Sequence, residues 1–277
     1  MTLAPFARRK LTVTVNETLG AYRILRVADP QGPKPQAGQF AMLAAVTGWG
    51  GGEQQRPYLP RALSIARHSS GESHFMLEDV GPGTHTLCQM APGEELWALG
   101  PLGRPFTPPP PGGRALLVGG GVGTAPLAIL QDQLQEEGAV PHLALLGFRD
   151  LQHTHGASLL RDARVASDDG SAGHHGLVTD LLREELDSED ERSAVVYACG
   201  PPAMLESVRA LCSERSTPAQ LALEAPMACG FGACFGCAVA KRGGGYLRVC
   251  VDGPVVDAHE LEFVGDHAGP PTGRPGA

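Results

Sequence analysis

Four of the seven cysteines of this chain lie close together near its C-terminal end. Four residues separate Cys229 from Cys234, two separate Cys234 from Cys237, and twelve separate Cys237 from Cys250. Thiols spaced C-x4-C-x2-C with a distant fourth match the pattern of plant-type [2Fe–2S] sites. The neighbours suit that chemistry. Bridging sulfides accept backbone N–H bonds, so the loop has to wrap tightly, and Gly230, Gly232, Ala233 and Gly236 allow that path. A tetrahedral four-cysteine zinc site stays open as an alternative, although its common form is two C-x2-C pairs. Phe231 and Phe235 lie inside the loop, either as a cover for a cluster or as a docking face. Cys88 and Cys212 have no partner spacing and read as packing residues.

Upstream, "PRALSI" places Arg61 three positions before Ser64, so a strand there offers a cation and a hydroxyl to one phosphate. "VGPGTHTL" puts Gly83 and Thr84 where a helix begins and exposes N–H groups to an anion. A surface arginine and an N-capping threonine would explain the same residues. "LLVGGGVGTAPL" sets Gly119, Gly120, Gly121 and Gly123, then Thr124, between an apolar strand and a helix, the setting in which backbone cradles phosphate. It departs from strict G-x-G-x-x-G, since Pro126 stands where the third glycine belongs, and a plain tight turn remains open. Asp150 is the nearest acidic candidate for a ribose. Arg149 beside it is either a 2′-phosphate partner or a strand cap, which leaves NAD against NADP undecided. Cys199, Gly200 and Pro201 follow a further strand, where Cys199 either abuts a nicotinamide ring or packs as a small hydrophobe.

The elements that must hold these residues fall into three segments. Residues 1–107 carry about six short alternating stretches broken by Gly and Pro, from "LTVTV" to "ELWALG", and predict an antiparallel barrel or sandwich. "TPPPPGG" is a linker. Residues 113–215 alternate apolar strands with amphipathic helices and predict a parallel α/β sheet. Residues 219–264 form a small cysteine domain, and 265–277 a disordered tail. The fold class is therefore multidomain, β plus α/β. A net charge of −8 without a basic cluster argues against nucleic acid, and no apolar run reaches the roughly 18 residues of a membrane span. "RRK" at Arg8 to Lys10 precedes an alternating stretch rather than an apolar leader. The chain therefore reads as cytoplasmic, where thiols stay reduced and clustered cysteines more often bind metal than form disulfides.

These motifs, in this order, resemble the ferredoxin–NADP reductase superfamily over residues 10 to 213 or so. The cysteine segment is similar to that of the electron transfer subunits of the dihydroorotate dehydrogenase B family. The likeness rests on "MACGFGACFGC" from Met227 to Cys237, "CVDGP" from Cys250 to Pro254, and "HGLVTDLL" from His175 to Leu182. It implies FAD on Arg61, Ala62, Leu63 and Ser64, with Met76, Leu77, Glu78, Gly83 and Thr84 completing its site. NAD would lie against the glycine turn and Cys199–Pro201, and the four cysteines would ligate a [2Fe–2S] cluster. The implied partner is an FMN-containing dihydroorotate dehydrogenase chain, in a heterotetramer of two plus two. The implied activity passes electrons from dihydroorotate to NAD+ in pyrimidine biosynthesis. Ala62 in place of the usual Pro, Glu78 in place of a basic or polar residue, Ala225–Pro226 where an Arg is common, and Val256 for an aromatic are departures that remove no ligand. Reductase subunits of hydrogenase or sulfide dehydrogenase type are the rival reading. Some of them carry Asp at the position of Cys229.

Overall fold

The computed structural model describes residues 8–50, 57–136, 138, 140–188 and 193–262, so the tail expected at 265–277 lies outside the described residues. All six alternating stretches of the first segment are strands. They are β1 (Arg9–Leu19), β2 (Tyr22–Ala28), β3 (Phe40–Ala45), β4 (Arg61–Ser69), β5 (Glu72–Glu78) and β6 (Glu95–Leu102), closed into an antiparallel barrel in the order β1-β2-β5-β4-β3-β6. Closure removes the open edges such short strands would otherwise expose. Leu11, Val13, Leu25, Val27, Leu43, Phe75 and Leu96 fill the interior. One helix, α1 (Pro82–Gln89), connects β5 to β6.

The second segment begins with β7 (Arg114–Gly120), buried at every position as a strand covered on both faces must be. A 3-10 turn, Gly121–Thr124, leads into α2 (Ala125–Glu136), and Gly138, just past its end, takes a left-handed φ of 108°. Then follow β8 (His142–Phe148), α3 (Leu151–Thr154), β9 (Ala163–Ser167), β10 (His174–His175), α4 (Val178–Leu186), β11 (Ala194–Cys199), α5 (Pro202–Glu214) and β12 (Ala219–Ala222).

The last segment supplies β13 (Ala238–Ala240), β14 (Tyr246–Arg248), α6 (Val249–Asp252) and β15 (Val255–Asp257). The sheet order is β10-β9-β8-β7-β11-β12-β15, parallel except for β15. The cysteine segment is thus not detached from the sheet. β12 enters it and β15 returns to its edge, leaving only the short β13–β14 hairpin outside.

Two features of this topology place a site. Chain order reverses between β7 and β11, which are hydrogen-bonded neighbours, so their carboxyl ends frame a crevice of the kind where open parallel sheets bind ligands. The barrel wall formed by β3, β4 and β6 packs against the cysteine segment through Phe40, Met42, Leu102, Cys237, Val249 and Cys250. Among the described residues, no helix is long and apolar enough to cross a membrane.

Candidate functional site

A cleft of about 300 Å³ opens where the three parts meet. The barrel contributes Ala62, Leu63 and Ser64 from β4, Met76, Leu77 and Glu78 from β5, and Thr84 from α1. The sheet contributes Val122, Gly123 and Ala125 after β7 and Cys199 at the end of β11. The cysteine segment adds Leu223, Glu224, Ala225, Met227 and Pro254. Residues expected to hold a flavin, residues expected to hold a nicotinamide and the approach to the cysteines therefore share one space.

The anion end is built from Arg61 and α1. A Cβ on Gly83 would collide with the Arg61 guanidinium, so the absence of a side chain lets the cation lie on the first turn of the helix. Thr84 Oγ1 accepts from the N–H of Val80 (3.0 Å) and Gly81 (3.1 Å) and donates to the Gly81 carbonyl. It thus fastens the turn rather than serving as the N-cap. Arg61 also donates to the Leu59 carbonyl at 2.7 Å. A guanidinium and a helix N-terminus at one place fit a diphosphate such as that of FAD.

The crevice side is set by glycine. A Cβ on Gly123 would strike the Cys199 carbonyl oxygen, and one on Gly120 would stand 2.6 Å from Met204 Sδ. The turn after β7 therefore lies directly on the Cys199–Gly200 backbone. Gly121 has a φ of 56°. The Tyr22 hydroxyl reaches this turn from β2, is buried and has no hydrogen-bond partner among the described residues. Burial, and then the Glu78 carboxylate, push its phenol up. An orphaned donor beside a glycine turn fits a dinucleotide phosphate or ribose there. Cys199 is buried, and desolvation raises its thiol, so it presents a neutral apolar surface to the cleft.

The cysteines occur as two pairs. Cys237 and Cys250 lie with their Sγ atoms 3.3 Å apart, both buried. Cys229 and Cys234 are hydrogen-bonded to each other nearer the surface. Burial opposes ionisation of Cys229, but N–H donors from Phe231, Cys234 and Ala233 outweigh it and bring its thiol down to about 6. Burial and the Cys237 thiol push Cys250 up to about 12. No three His, Cys, Asp or Glu side chains among the described residues are grouped as ligands of one ion. A zinc site needs four ligands around one metal, whereas a binuclear cluster takes two thiolates on each iron, and two pairs fit the latter. Gly230, at φ 79°, lets the loop touch the barrel, since a Cβ there would stand 2.5 Å from Met42 Cγ. Met42 pairs with Ala62 across β3 and β4, so the loop leans on the same wall that carries the Arg61–Ser64 stretch. Phe231 and Phe235 are 44% and 60% exposed, and Arg248 stacks 5.2 Å from the Phe235 ring.

Glu224, and the joining of Glu78, Arg149 and Asp150 through His153, had no place in the expectations drawn from sequence. Glu224 stands between β12 and the cysteines; it is exposed overall, and desolvation by the surrounding protein raises its carboxyl above the ordinary range. A lone acid in the apolar "LALEAP" was the available signal. The second is a polar bridge from barrel to sheet. Arg149 is ion-paired to Glu78, and His153 contacts Glu78 Oε1 at 3.3 Å and Asp150 Oδ1 at 2.7 Å. Asp150 caps α3 through Oδ1, which accepts from the His153 N–H.

A barrel with an anion cradle, a parallel sheet with its crevice facing it and a four-thiol loop on the shared wall define a ferredoxin reductase-type electron-transfer protein that uses FAD, NAD and a [2Fe–2S] cluster. Over 91% of this chain and 89% of the other, the fold matches a chain of the NADH-dependent reduced ferredoxin-NADP oxidoreductase, with TM-score 0.77 and 26% identity. It also matches phthalate dioxygenase reductase in fold, with TM-score 0.60 over 88% of this chain and 94% of that one, at 17% identity. The iron–sulfur cluster binding domain of dihydroorotate dehydrogenase B matches residues 224–262, and the oxidoreductase NAD-binding domain matches residues 117–210. The dihydroorotate dehydrogenase B (NAD(+)) electron transfer subunit of Geobacillus thermodenitrificans is 39% identical over 218 residues, 76% of this chain and 82% of that one. Its counterpart from Caldanaerobacter subterraneus is 35% identical over 236 residues, 84% and 90% of the two. The chain belongs to the family of dihydroorotate dehydrogenase B electron transfer subunits.

Proposed function

We propose that this chain links a dihydroorotate-oxidising partner to NAD+, with FAD in the shared cleft and a [2Fe–2S] cluster on the four cysteines. The observation that carries the reading is the cleft itself, lined by Ala62 to Ser64 of β4, the glycine turn with Cys199, and the stretch leading into the cysteines. When bound, FAD exchanges electron pairs with a nicotinamide and single electrons with an iron–sulfur cluster, the conversion such a link requires. The protein's part is placement. Arg61 and the start of α1 would fix the FAD diphosphate, and Ala62 to Ser64 with Met76 to Glu78 would wall the flavin. Gly119 to Gly121, Gly123, Thr124 and Cys199 to Pro201 would seat NAD. Cys199 and Met227 keep the cleft apolar and exclude water.

The partner is a catalytic chain carrying FMN, joined in a heterotetramer of two plus two and working in the cytoplasm in pyrimidine synthesis. Phe231 and Phe235, exposed beside the outer thiols, are its docking face. Oxidation of dihydroorotate is the partner's step in this reading. The purified chain is therefore expected to contain FAD, two irons and two labile sulfides, and to reduce ferricyanide with NADH but not with dihydroorotate. Zinc in place of iron, or dihydroorotate turnover by the single chain, would overturn the proposal.

A further inference from the structure

The sheet edge on which NAD is read to bind carries a marked charge pattern. Arg149 is the one Lys or Arg among the two described residues that follow each parallel strand, while Asp150, Asp168 and Asp169 stand at neighbouring strand ends. Asp168 N donates to the Phe148 carbonyl at 2.9 Å, which holds the acidic pair next to Arg149. A 2′-phosphate arriving there would meet one cation, and the barrel has already engaged it. Glu78, from the end of β5, takes the Arg149 guanidinium on Oε1, and His153 Nε2 contacts the same oxygen at 3.3 Å. The Arg149 side chain is 58% exposed, so it is within reach of solvent and ligand, with Nη2 held by Glu78.

We propose that Glu78 is a specificity-determining residue: by pairing with Arg149 across the two halves of the cleft, it withholds the edge's cation from a 2′-phosphate. The acidic pair Asp168–Asp169 then favours a dinucleotide with free ribose hydroxyls, which are donors, over one carrying a dianion. This rests on the reading of that edge as the dinucleotide site, and it adds the reason why the unphosphorylated form is selected. It also gives Glu78 a role besides lining the flavin cleft, since its carboxylate spans from barrel to sheet.

The test is calorimetric binding of 5′-AMP and 2′,5′-ADP to the flavin-loaded protein, with flavin retention followed by absorbance. The wild-type protein binds 5′-AMP the more tightly. Glu78→Gln frees Arg149 and tightens 2′,5′-ADP by about tenfold, as expected for one charge-assisted contact, with 5′-AMP little changed. Adding Arg149→Ala to that variant cancels the gain. In the otherwise wild-type chain, Arg149→Ala alone does not weaken 2′,5′-ADP, because the cation is not serving phosphate there. This second variant keeps the test sound if Glu78→Gln sheds flavin. A Glu78→Gln protein that keeps its flavin without tightening 2′,5′-ADP would overturn the proposal. So would a gain that survives loss of Arg149, or a clear loss in Arg149→Ala alone. These outcomes leave 5′-AMP binding intact and the reading of the edge standing. Failure of 5′-AMP to bind any flavin-loaded variant would sink both.

Discussion

Glu224 separates what residue types announce from what surroundings impose. Glu224 is exposed overall, yet the protein around its carboxyl partly desolvates it and disfavours its charged form, so the folded chain holds that proton to a higher pH than the unfolded chain does. The stability this confers is complete below the ordinary carboxylate value and is lost as pH rises through the raised one. Glu224→Gln, neutral throughout, should therefore gain stability relative to the wild-type protein as pH rises from acid toward neutral, as judged by paired thermal melts. A constant difference across that range would contradict the assignment. The four cysteines were legible because ligation leaves a spacing in the chain. Glu224 and the Glu78–Arg149 pair were not, because nothing local marks them. Their partners arrive from strands distant in sequence. Cys234→Ser removes one thiolate of the outer pair. The expected outcome is loss of most iron with FAD and NADH–ferricyanide activity largely kept, measured by iron assay and flavin absorbance.

Between elements, contacts are set by backbone approaching backbone. Gly123 rests on Cys199, so Gly123→Ala must pry the turn after β7 from the end of β11. The expected result is KM for NADH raised about tenfold or more, a cost of about 1–3 kcal/mol, with flavin content unchanged. Gly230→Ala combines a left-handed φ of 79° with a clash on Met42. It should lower stability by about 1–3 kcal/mol, read as a shift of the denaturant midpoint, and loosen the cysteine loop from the barrel. Most barrel strands were legible because alternation of apolar and polar residues survives in them, while β3, FAMLAA, shows as a short apolar run between turn residues. β9 was not. "ARVAS" is short, contains two alanines and follows a polar stretch, so its apolar signal is weak, and its strand state depends on pairing with β8. The membership of β12 and β15 in the sheet was likewise a matter of long-range pairing, invisible in local pattern.

At the scale of the whole molecule, three segments readable in the sequence converge on one cleft, and the convergence carries the functional account. The sequence order of the motifs indicated which groups each segment serves. It did not indicate that the cysteine loop would lean on the barrel wall through Met42, or that a polar bridge would join barrel to sheet above the flavin strands. The measurement that bears most directly on the account is dihydroorotate-dependent NAD+ reduction by this chain co-expressed with an FMN-containing dihydroorotate dehydrogenase chain. The account predicts turnover that needs both chains and disappears in Cys234→Ser. Turnover by a complex whose Cys234→Ser variant has lost its iron yet remains fully active would contradict it. So would a flavin- and iron-loaded chain that forms no active complex.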